Sequence, residues 1–175
     1  QGTLMATRSS ITGEDRNPGL TEAEIEDYLS QYLGAQQIIW LDGEFGGTED
    51  ITDQHIDGFV KFVVNHTLVT MNDADLAYWY VGEGDRNIID QAANAEGIPY
   101  QRVNLPLTQF PVQATAGQKL GFRSSYVNFY VGNEAVLVPE YDDPQDEVAL
   151  GIIQGLYPDR IAIGINCQNM LQWGG

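Results

Sequence analysis

Ionisable side chains stand close together in the segment from Thr52 to Gly58, which leads directly into an apolar run. His55 and Asp57 are two residues apart, so an extended backbone would direct both side chains to one face, and Asp53 falls on that face as well. An imidazole beside carboxylates can transfer protons and hold a cation. Spacing alone nevertheless favours a simpler interpretation, a hydrogen-bonded loop that leads into a buried strand.

The other candidates for chemistry are His66 and Cys167. A metal site built on His55 and Asp57 would need a third ligand, and His66 lies at the far end of the predicted strand, about 30 Å away at about 3.3 Å per residue. The sequence therefore predicts no metal site. Cys167 is the only cysteine and follows a predicted strand, where an unreactive buried thiol is the commoner situation. The sequence contains no nucleophile-elbow serine, phosphate-binding loop or dinucleotide fingerprint, so no cofactor is expected.

The composition is strongly acidic. Among 175 residues, 25 acidic and 8 basic side chains give a formal net charge of −17. This charge argues against nucleic acid and anionic membranes as partners and would attract a cationic small molecule, although solubility alone would also explain it. A single cysteine permits no internal disulfide, which is typical of a cytoplasmic protein. The sequence leaves the oligomeric state open, a homo-oligomer included.

Hydrophobic patterning predicts an α/β fold in which one order of elements recurs. The predicted strands are 3–7, 37–41, 56–64, 67–71, 99–105, 126–131, 135–139 and 160–165, and the predicted helices are 22–33, 85–95 and 144–156. Strand, hairpin, strand, helix and strand thus occur twice, and the opening residues match the end of a further copy. A β-β-α-β unit repeated at long period favours units around a common axis. We divide the chain into units at 1–42, 43–110 and 111–175 of one domain.

The repeat suggests where polar groups converge. Asp57 and Asn128 begin equivalent predicted strands of consecutive units, so both could face one pocket near the centre.

Several segments also follow one another in a familiar order. They are Arg16-Asn17-Pro18-Gly19-Leu20, the segment from Tyr32-Leu33-Gly34 to Ile39-Trp40-Leu41, Thr52-Asp53-Gln54-His55-Ile56-Asp57, Ser125-Tyr126-Val127-Asn128-Phe129, Val138-Pro139 and Tyr157-Pro158-Asp159-Arg160. Together they resemble the agmatine deiminase and bacterial-type (Porphyromonas-type) peptidyl-arginine deiminase family, over nearly all of the chain. The resemblance implies the pentein fold, a propeller of five β-β-α-β units, of which this chain would supply about two and a half.

The resemblance also implies a reaction. The family hydrolyses a guanidinium group to a ureido group and releases ammonia, which for agmatine gives N-carbamoylputrescine on the route to putrescine and the polyamines. A cysteine thiolate would attack the guanidinium carbon, His55 would protonate the departing ammonia and then activate water, and Asp57 would bind the guanidinium nitrogens. The resemblance further implies that Asp53 is a supporting carboxylate and that Asn128 lines the substrate pocket.

The chain departs from the family at positions that matter. The family's nucleophile follows a Gly-Gly-Gly-x-x-His-Cys pattern just after a segment like 170–175, and Cys167 does not match that position. We therefore expect a fragment that lacks the nucleophile and an N-terminal substrate carboxylate and is inactive alone. Family members commonly have Gly where Gln54 stands and Asn where Gly58 stands, so agmatine and arginine, free or in peptides, remain open as substrates. A non-catalytic pentein-like module that binds cationic ligands or protein partners is the alternative from another class.

Overall fold

The structure is a computed structural model that describes residues 2–43, 54–64, 66–114, 117 and 120–171. The strands are β1 (Thr3–Thr7), β2 (Gln37–Leu41), β3 (Lys61–Val63), β4 (Thr67–Thr70), β5 (Gln101–Asn104), β6 (Tyr130–Val131), β7 (Ala135–Glu140) and β8 (Ile161–Asn166). The helices are α1 (Arg8–Ile11), α2 (Glu22–Leu33), α3 (Asp73–Tyr78), α4 (Glu83–Asp90), α5 (Asp146–Leu156) and α6 (Gln168–Leu171), with a 3₁₀ helix at Ile56–Gly58. None of the described helices has the length and apolar content needed to cross a lipid bilayer.

The described residues form two compact units. The first comprises those of Gln1–Ile56 and Leu76–Gln101, and the second those of Asp57–Asp75 and Arg102–Gly175.

A parallel pair of strands organises the first unit. β1 and β2 pair from Thr3 opposite Gln37 to Thr7 opposite Leu41, and α2 connects them. The helix packs Ile25 against Ala6 and Trp40 to form the core of this unit. Parallel pairing with a helical crossover leaves the carboxyl ends of both strands at the same edge.

Local sequence determines both ends of α2, as the pattern predicts. Thr21 and Glu24 form a reciprocal capping box, in which the Thr21 side chain accepts from the Glu24 amide and the Glu24 side chain accepts from the Thr21 amide. Gly34 ends the helix in the left-handed conformation, with a φ of 69°.

The second unit contains a complete β-β-α-β unit. β6 and β7 form an antiparallel hairpin, α5 follows, and β8 then pairs parallel to β7 from Ala135 opposite Ile161 to Glu140 opposite Asn166. A second sheet has the strand order β3-β4-β5, in which β3 and β4 are again antiparallel. The recurring strand order is the one that the sequence predicts.

Two predicted strands begin much later than expected. The sequence predicts one strand over 56–64, but Ile56–Gly58 is a 3₁₀ helix and β3 covers only Lys61–Val63. The segment 126–131 contributes only Tyr130–Val131 to β6. Asp and Gly are poor strand residues that favour turns, which explains the first difference.

These corrections change the predicted surroundings of the candidate site residues. Asp57 lies in a 3₁₀ turn, so the prediction that Asp57 and His55 share one face of an extended backbone is wrong. Asn128 lies two residues before β6, in a segment that does not pair as a strand. Both residues precede the first strand of a hairpin, in segments shaped by packing rather than by ladder hydrogen bonds.

Candidate functional site

Polar side chains gather at the carboxyl ends of β1 and β2 in the first unit. Arg8 follows β1, and its Nε donates to Glu22 Oε2 at 2.8 Å while its Nη1 donates to Asp42 Oδ1 at 2.9 Å. The hydrogen bond to Glu22 is the main cause that raises the pKa of Arg8, whose guanidinium also lies 5.8 Å from the centroid of the Trp40 ring. These contacts fix the backbone at the end of β2.

A buried carboxylate holds the backbone that follows β2. Asp85, in the first turn of α4, is 3% exposed and accepts hydrogen bonds from the amides of Asp42 at 2.7 Å and Gly43 at 2.9 Å. Burial of a carboxylate is tolerated where hydrogen bonds replace its hydration, and two backbone amides do so here. Sequence reasoning missed Asp85 because an acidic residue in the first turn of a helix is common for electrostatic reasons alone.

Gln54 fixes the backbone directly before His55. Its Nε2 donates to the carbonyl oxygens of Trp79 at 3.4 Å and Tyr80 at 3.0 Å, and its own carbonyl oxygen accepts from Thr7 Oγ1 at 2.8 Å. The residue is 5% exposed, and its φ of 57° lies in the left-handed region. Glycine adopts that region without steric cost, which gives a physical reason for the glycine that the family resemblance leads us to expect here.

His55 therefore follows a residue held by three hydrogen bonds in the first unit. Its own side chain is exposed, which is compatible with proton exchange with a ligand. From the sequence alone, the aromatic run Tyr78-Trp79-Tyr80 has two interpretations, the lining of a pocket and a packed loop. In the structure, two of its backbone carbonyls hold Gln54, and the Tyr80 ring is exposed.

In the second unit, Asp57 is exposed and stands near a lysine. Lys61, the first residue of β3, interacts electrostatically with the Asp57 carboxylate. Burial lowers the pKa of Lys61, and Asp57 opposes that shift. The Lys61 ammonium also donates to the carbonyl oxygen of Phe129 and lies 4.5 Å from the centroid of the Phe129 ring.

Asn128 is an exposed residue between buried neighbours. Tyr126, Val127 and Phe129 are all almost fully buried, so the segment presents the Asn128 side chain outward. Its preceding residues are fixed by hydrogen bonds: Tyr126 Oη donates to Asp146 Oδ1 at 2.6 Å, and Tyr141 Oη donates to the carbonyl oxygen of Ser125 at 3.1 Å. The hydrogen bonds of these two buried phenols therefore fix the backbone that leads to Asn128.

Cys167 has the surroundings of an unreactive thiol. It follows β8, is only partly exposed, and its amide donates to the Glu140 carbonyl oxygen at 2.8 Å. Burial raises the pKa of the Cys167 thiol and outweighs a hydrogen bond with the Glu140 backbone, which lowers that pKa. A nucleophilic cysteine needs an electropositive setting that lowers its pKa, so these surroundings disfavour the reactive thiolate.

The predicted site residues are thus distributed as follows. Asp57 and Asn128 belong to the second unit, where Lys61 interacts with Asp57 and with the residue that follows Asn128. His55 belongs to the first unit, and Asp53 lies outside the described residues. Within the described ranges, no group of three or more His, Cys, Asp or Glu side chains could hold a metal ion.

The recurring β-β-α-β order, with polar residues placed before the first strand of each hairpin, is that of a pentein-type α/β protein, and comparison with solved structures shows the same fold. A structure described as a putative arginine deiminase from Porphyromonas gingivalis is 34% identical, with a TM-score of 0.82 over 99% of this chain and 50% of that chain. The agmatine deiminase of Enterococcus faecalis is 25% identical, also with a TM-score of 0.82, over 100% of this chain and 51% of that chain.

Sequence comparison gives the family. The family model for Porphyromonas-type peptidyl-arginine deiminase matches residues 1–175, and the chain belongs to this family. A putative agmatine deiminase of Listeria monocytogenes is 36% identical over 100% of this chain and 51% of the relative. The chain thus spans about half the length of the curated relatives it matches.

Proposed function

We propose that the protein is a guanidine deiminase that hydrolyses agmatine to N-carbamoylputrescine and ammonia. The observation that carries this proposal is the 36% identity, across the full chain, with a putative agmatine deiminase. The geometry supports it, because Asp57 and Asn128 are both exposed in one unit and their segments share Lys61 as a partner. A cationic guanidinium substrate also suits a chain with a net charge of −17.

The proposed mechanism uses a nucleophile, a general acid and base, and a carboxylate that binds the substrate. A cysteine thiolate adds to the guanidinium carbon, and the C–N bond then breaks as His55 gives its proton to the departing ammonia. His55 next takes a proton from water, whose oxygen attacks the same carbon, and the C–S bond breaks to leave the ureido product and the free thiol. Asp57 holds the guanidinium nitrogens by charge-assisted hydrogen bonds, with Asn128 and Asp53 as further pocket residues.

Cys167 is not assigned the nucleophilic role. Burial raises the pKa of its thiol, which opposes formation of the thiolate. We assign the nucleophile to a cysteine outside residues 1–175, and we expect residues 1–175 alone to release no ammonia. The single cysteine in this stretch suits a reducing compartment, and we propose the cytoplasm as the site of the reaction.

A second candidate function is deimination of arginine, free or within peptides. The family description and the similar structure from Porphyromonas gingivalis favour it. The two substrates differ at the α-carboxylate, which agmatine lacks. A third candidate, from another class, is a non-catalytic module that binds cationic ligands.

The test uses the full-length protein and a panel of agmatine, free arginine and an arginine peptide, with ammonia release as the measurement. We expect the highest kcat/KM for agmatine. His55→Asn should lower kcat by about 10²- to 10⁴-fold, because the substitution removes the general acid and base. The matched control is His66→Asn, at the chain's other histidine, which has a φ of 59° that asparagine tolerates.

The outcomes separate the candidates. A His66→Asn variant with wild-type kcat beside an inactive His55→Asn variant supports the assignment of His55. Higher kcat/KM for arginine or for the peptide would replace agmatine by the second candidate. Binding of agmatine without ammonia release from any substrate would support the non-catalytic module.

A further inference from the structure

Lys61 is a basic residue in an apolar setting. It interrupts the run Phe59-Val60-Lys61-Phe62-Val63 at the start of β3, and in the strand ladder it stands opposite the fully buried Val69. An ammonium group so placed loses part of its hydration, which costs free energy unless other groups compensate. Burial accordingly lowers the pKa of Lys61.

The groups that compensate belong to two segments of the candidate site. The ammonium donates to the carbonyl oxygen of Phe129 and lies over the Phe129 ring, 4.5 Å from its centroid, which is a cation–π arrangement. Asn128 is the preceding residue in that segment. The carboxylate of Asp57 interacts with the same ammonium electrostatically and favours its charged form.

We infer that Lys61 is a positioning residue that fixes the 3₁₀ turn of Asp57 relative to the segment of Asn128. The inference rests on the proposed function, since it concerns the geometry in which these two side chains meet a guanidinium group. A carboxylate often recognises a guanidinium through two parallel hydrogen bonds of fixed direction. A displacement of about 1 Å is enough to weaken such a site, so a residue that fixes both segments controls substrate affinity.

Three variants of the full-length protein test this role. Lys61→Met keeps an unbranched side chain that is one atom shorter but removes the charge and the hydrogen-bond donor. Lys61→Arg keeps the charge and the donor. Arg102→Met is the matched control, because Arg102 is a basic residue of the same unit whose Nη2 donates to the Met71 carbonyl oxygen at 2.5 Å. Its Nε donates to Asn104 Oδ1 at 2.9 Å, and neither Met71 nor Asn104 is a candidate site residue.

The first readout is the kinetics of ammonia release from agmatine. Lys61→Met should raise KM by about tenfold or more with a smaller change in kcat, because loss of charge-assisted contacts weakens binding. Lys61→Arg should restore KM to within about threefold, and Arg102→Met should leave it within about twofold of wild type. Equal changes of KM in Lys61→Met and Arg102→Met would overturn the positioning role in favour of general destabilisation.

The second readout is amide hydrogen exchange, which needs no activity. Lys61→Met should accelerate exchange in both 57–60 and 127–131, whereas Arg102→Met should accelerate it in neither. If the wild-type protein released no ammonia from any guanidine compound, the proposed function would fail. Amide hydrogen exchange would still test whether Lys61 links the two segments. If the amides of both segments exchanged in Lys61→Met at the same rate as in the wild-type protein, the inference would be overturned.

Discussion

Gly43 occupies a backbone position that only glycine fits. Its φ is 71°, and its amide donates to Asp85 at 2.9 Å just after β2. A Cβ atom at this residue would lie 1.9 Å from Ser9 Oγ and 2.9 Å from Thr7 Cβ. The Ser9 hydroxyl can rotate away, whereas Thr7 Cβ is fixed to the backbone of β1. Any side chain at Gly43 must therefore shift the ends of both parallel strands.

The corresponding prediction is that Gly43→Ala lowers the free energy of unfolding of the protein by about 2–4 kcal/mol, from left-handed strain together with the steric contact. The measurement is equilibrium denaturation in urea. The same substitution at Gly84 is the control, since nothing lies within 4 Å of a Cβ there and the residue is in α4. Gly84→Ala should raise stability by about 0.5 kcal/mol, because alanine favours the helix. A loss at Gly84 equal to that at Gly43 would contradict the explanation.

At the scale of elements, two buried tyrosines hold the segment that carries Asn128. Burial raises the pKa of Tyr141 to about 12, and burial also raises the pKa of Tyr126, with the hydrogen bond to Asp146 adding to the shift. An unfolded tyrosine has a pKa of about 10. The folded state therefore retains these protons at pH values where the unfolded chain loses them. The stability that they contribute is complete below about pH 10 and declines as the pH rises through the folded pKa values.

We accordingly expect alkaline unfolding, with the free energy of unfolding falling by up to about 1.4 kcal/mol per pH unit for each of these tyrosines between about pH 10 and 12. Tyr141→Phe should be less stable at pH 8, because it loses the hydrogen bond to the Ser125 carbonyl. Its pH dependence between about pH 10 and 12 should nevertheless be shallower, since one titrating phenol is gone. Urea denaturation across this range measures both effects.

The control for that experiment is Tyr32→Phe on α2, where the ring is 75% exposed. This substitution should leave the slope of stability against pH unchanged. A Tyr141→Phe variant with the wild-type slope would show that Tyr141 does not retain its proton in the folded state.

Elements with strong local signals could be predicted from the sequence. The capping box of Thr21 and Glu24 and the glycine at 34 define α2, and the predicted bounds agree with Glu22–Leu33. β1 and β2 also match their predicted ranges. The strands predicted at 56–64 and 126–131 begin later in the structure, at Lys61 and Tyr130. Phe59, Tyr126 and Phe129 are buried, and the rings of Tyr126 and Phe129 contact those of Tyr141 and Tyr157. A local pattern cannot distinguish such packing from a strand ladder.

A missed helix did carry a signal. α3 begins after Asn72, whose Oδ1 accepts from the Asp75 amide at 2.9 Å while its Nδ2 donates to the Asp75 carboxylate at 2.7 Å. Asn followed three residues later by an acid is a recognisable helix start. The pair Asn72 and Asp75 therefore indicates the start of α3 in the sequence.

For the candidate site, the sequence indicates the exposed residues better than the residues that position them. His55 and Asp57 are noticeable because of their types and spacing, and the family resemblance gives them roles. Asp85 and Lys61 act through contacts with residues more than 40 positions away along the chain. A lysine inside an apolar run of an acidic chain was the available signal for Lys61, whereas nothing local indicated Asp85.

At the scale of the whole chain, acidic groups greatly outnumber basic ones. Ion pairs such as Arg8 with Glu22 and Arg123 with Asp75 use basic side chains that are already counted in the formal net charge, so the charge stays at −17. Such a surface repels itself and attracts cations over a distance set by ionic strength, about 30 Å at 0.01 M and about 3 Å at 1 M. Salt therefore acts in opposite directions on stability and on the capture of a cationic ligand.

This opposition gives a prediction that separates attraction of substrate from solubility as the use of the charge. Between about 10 mM and 1 M NaCl, the kcat/KM of the full-length protein for agmatine should fall while its Tm rises, since screening weakens attraction and self-repulsion alike. Agmatine carries an ammonium and a guanidinium, whereas N-acetylagmatine carries only the guanidinium. The fall should be steeper for agmatine, because the attraction scales with ligand charge. Equal slopes for the two substrates, beside a rising Tm, would mean that the acidic surface serves the folded protein and does not draw the substrate in.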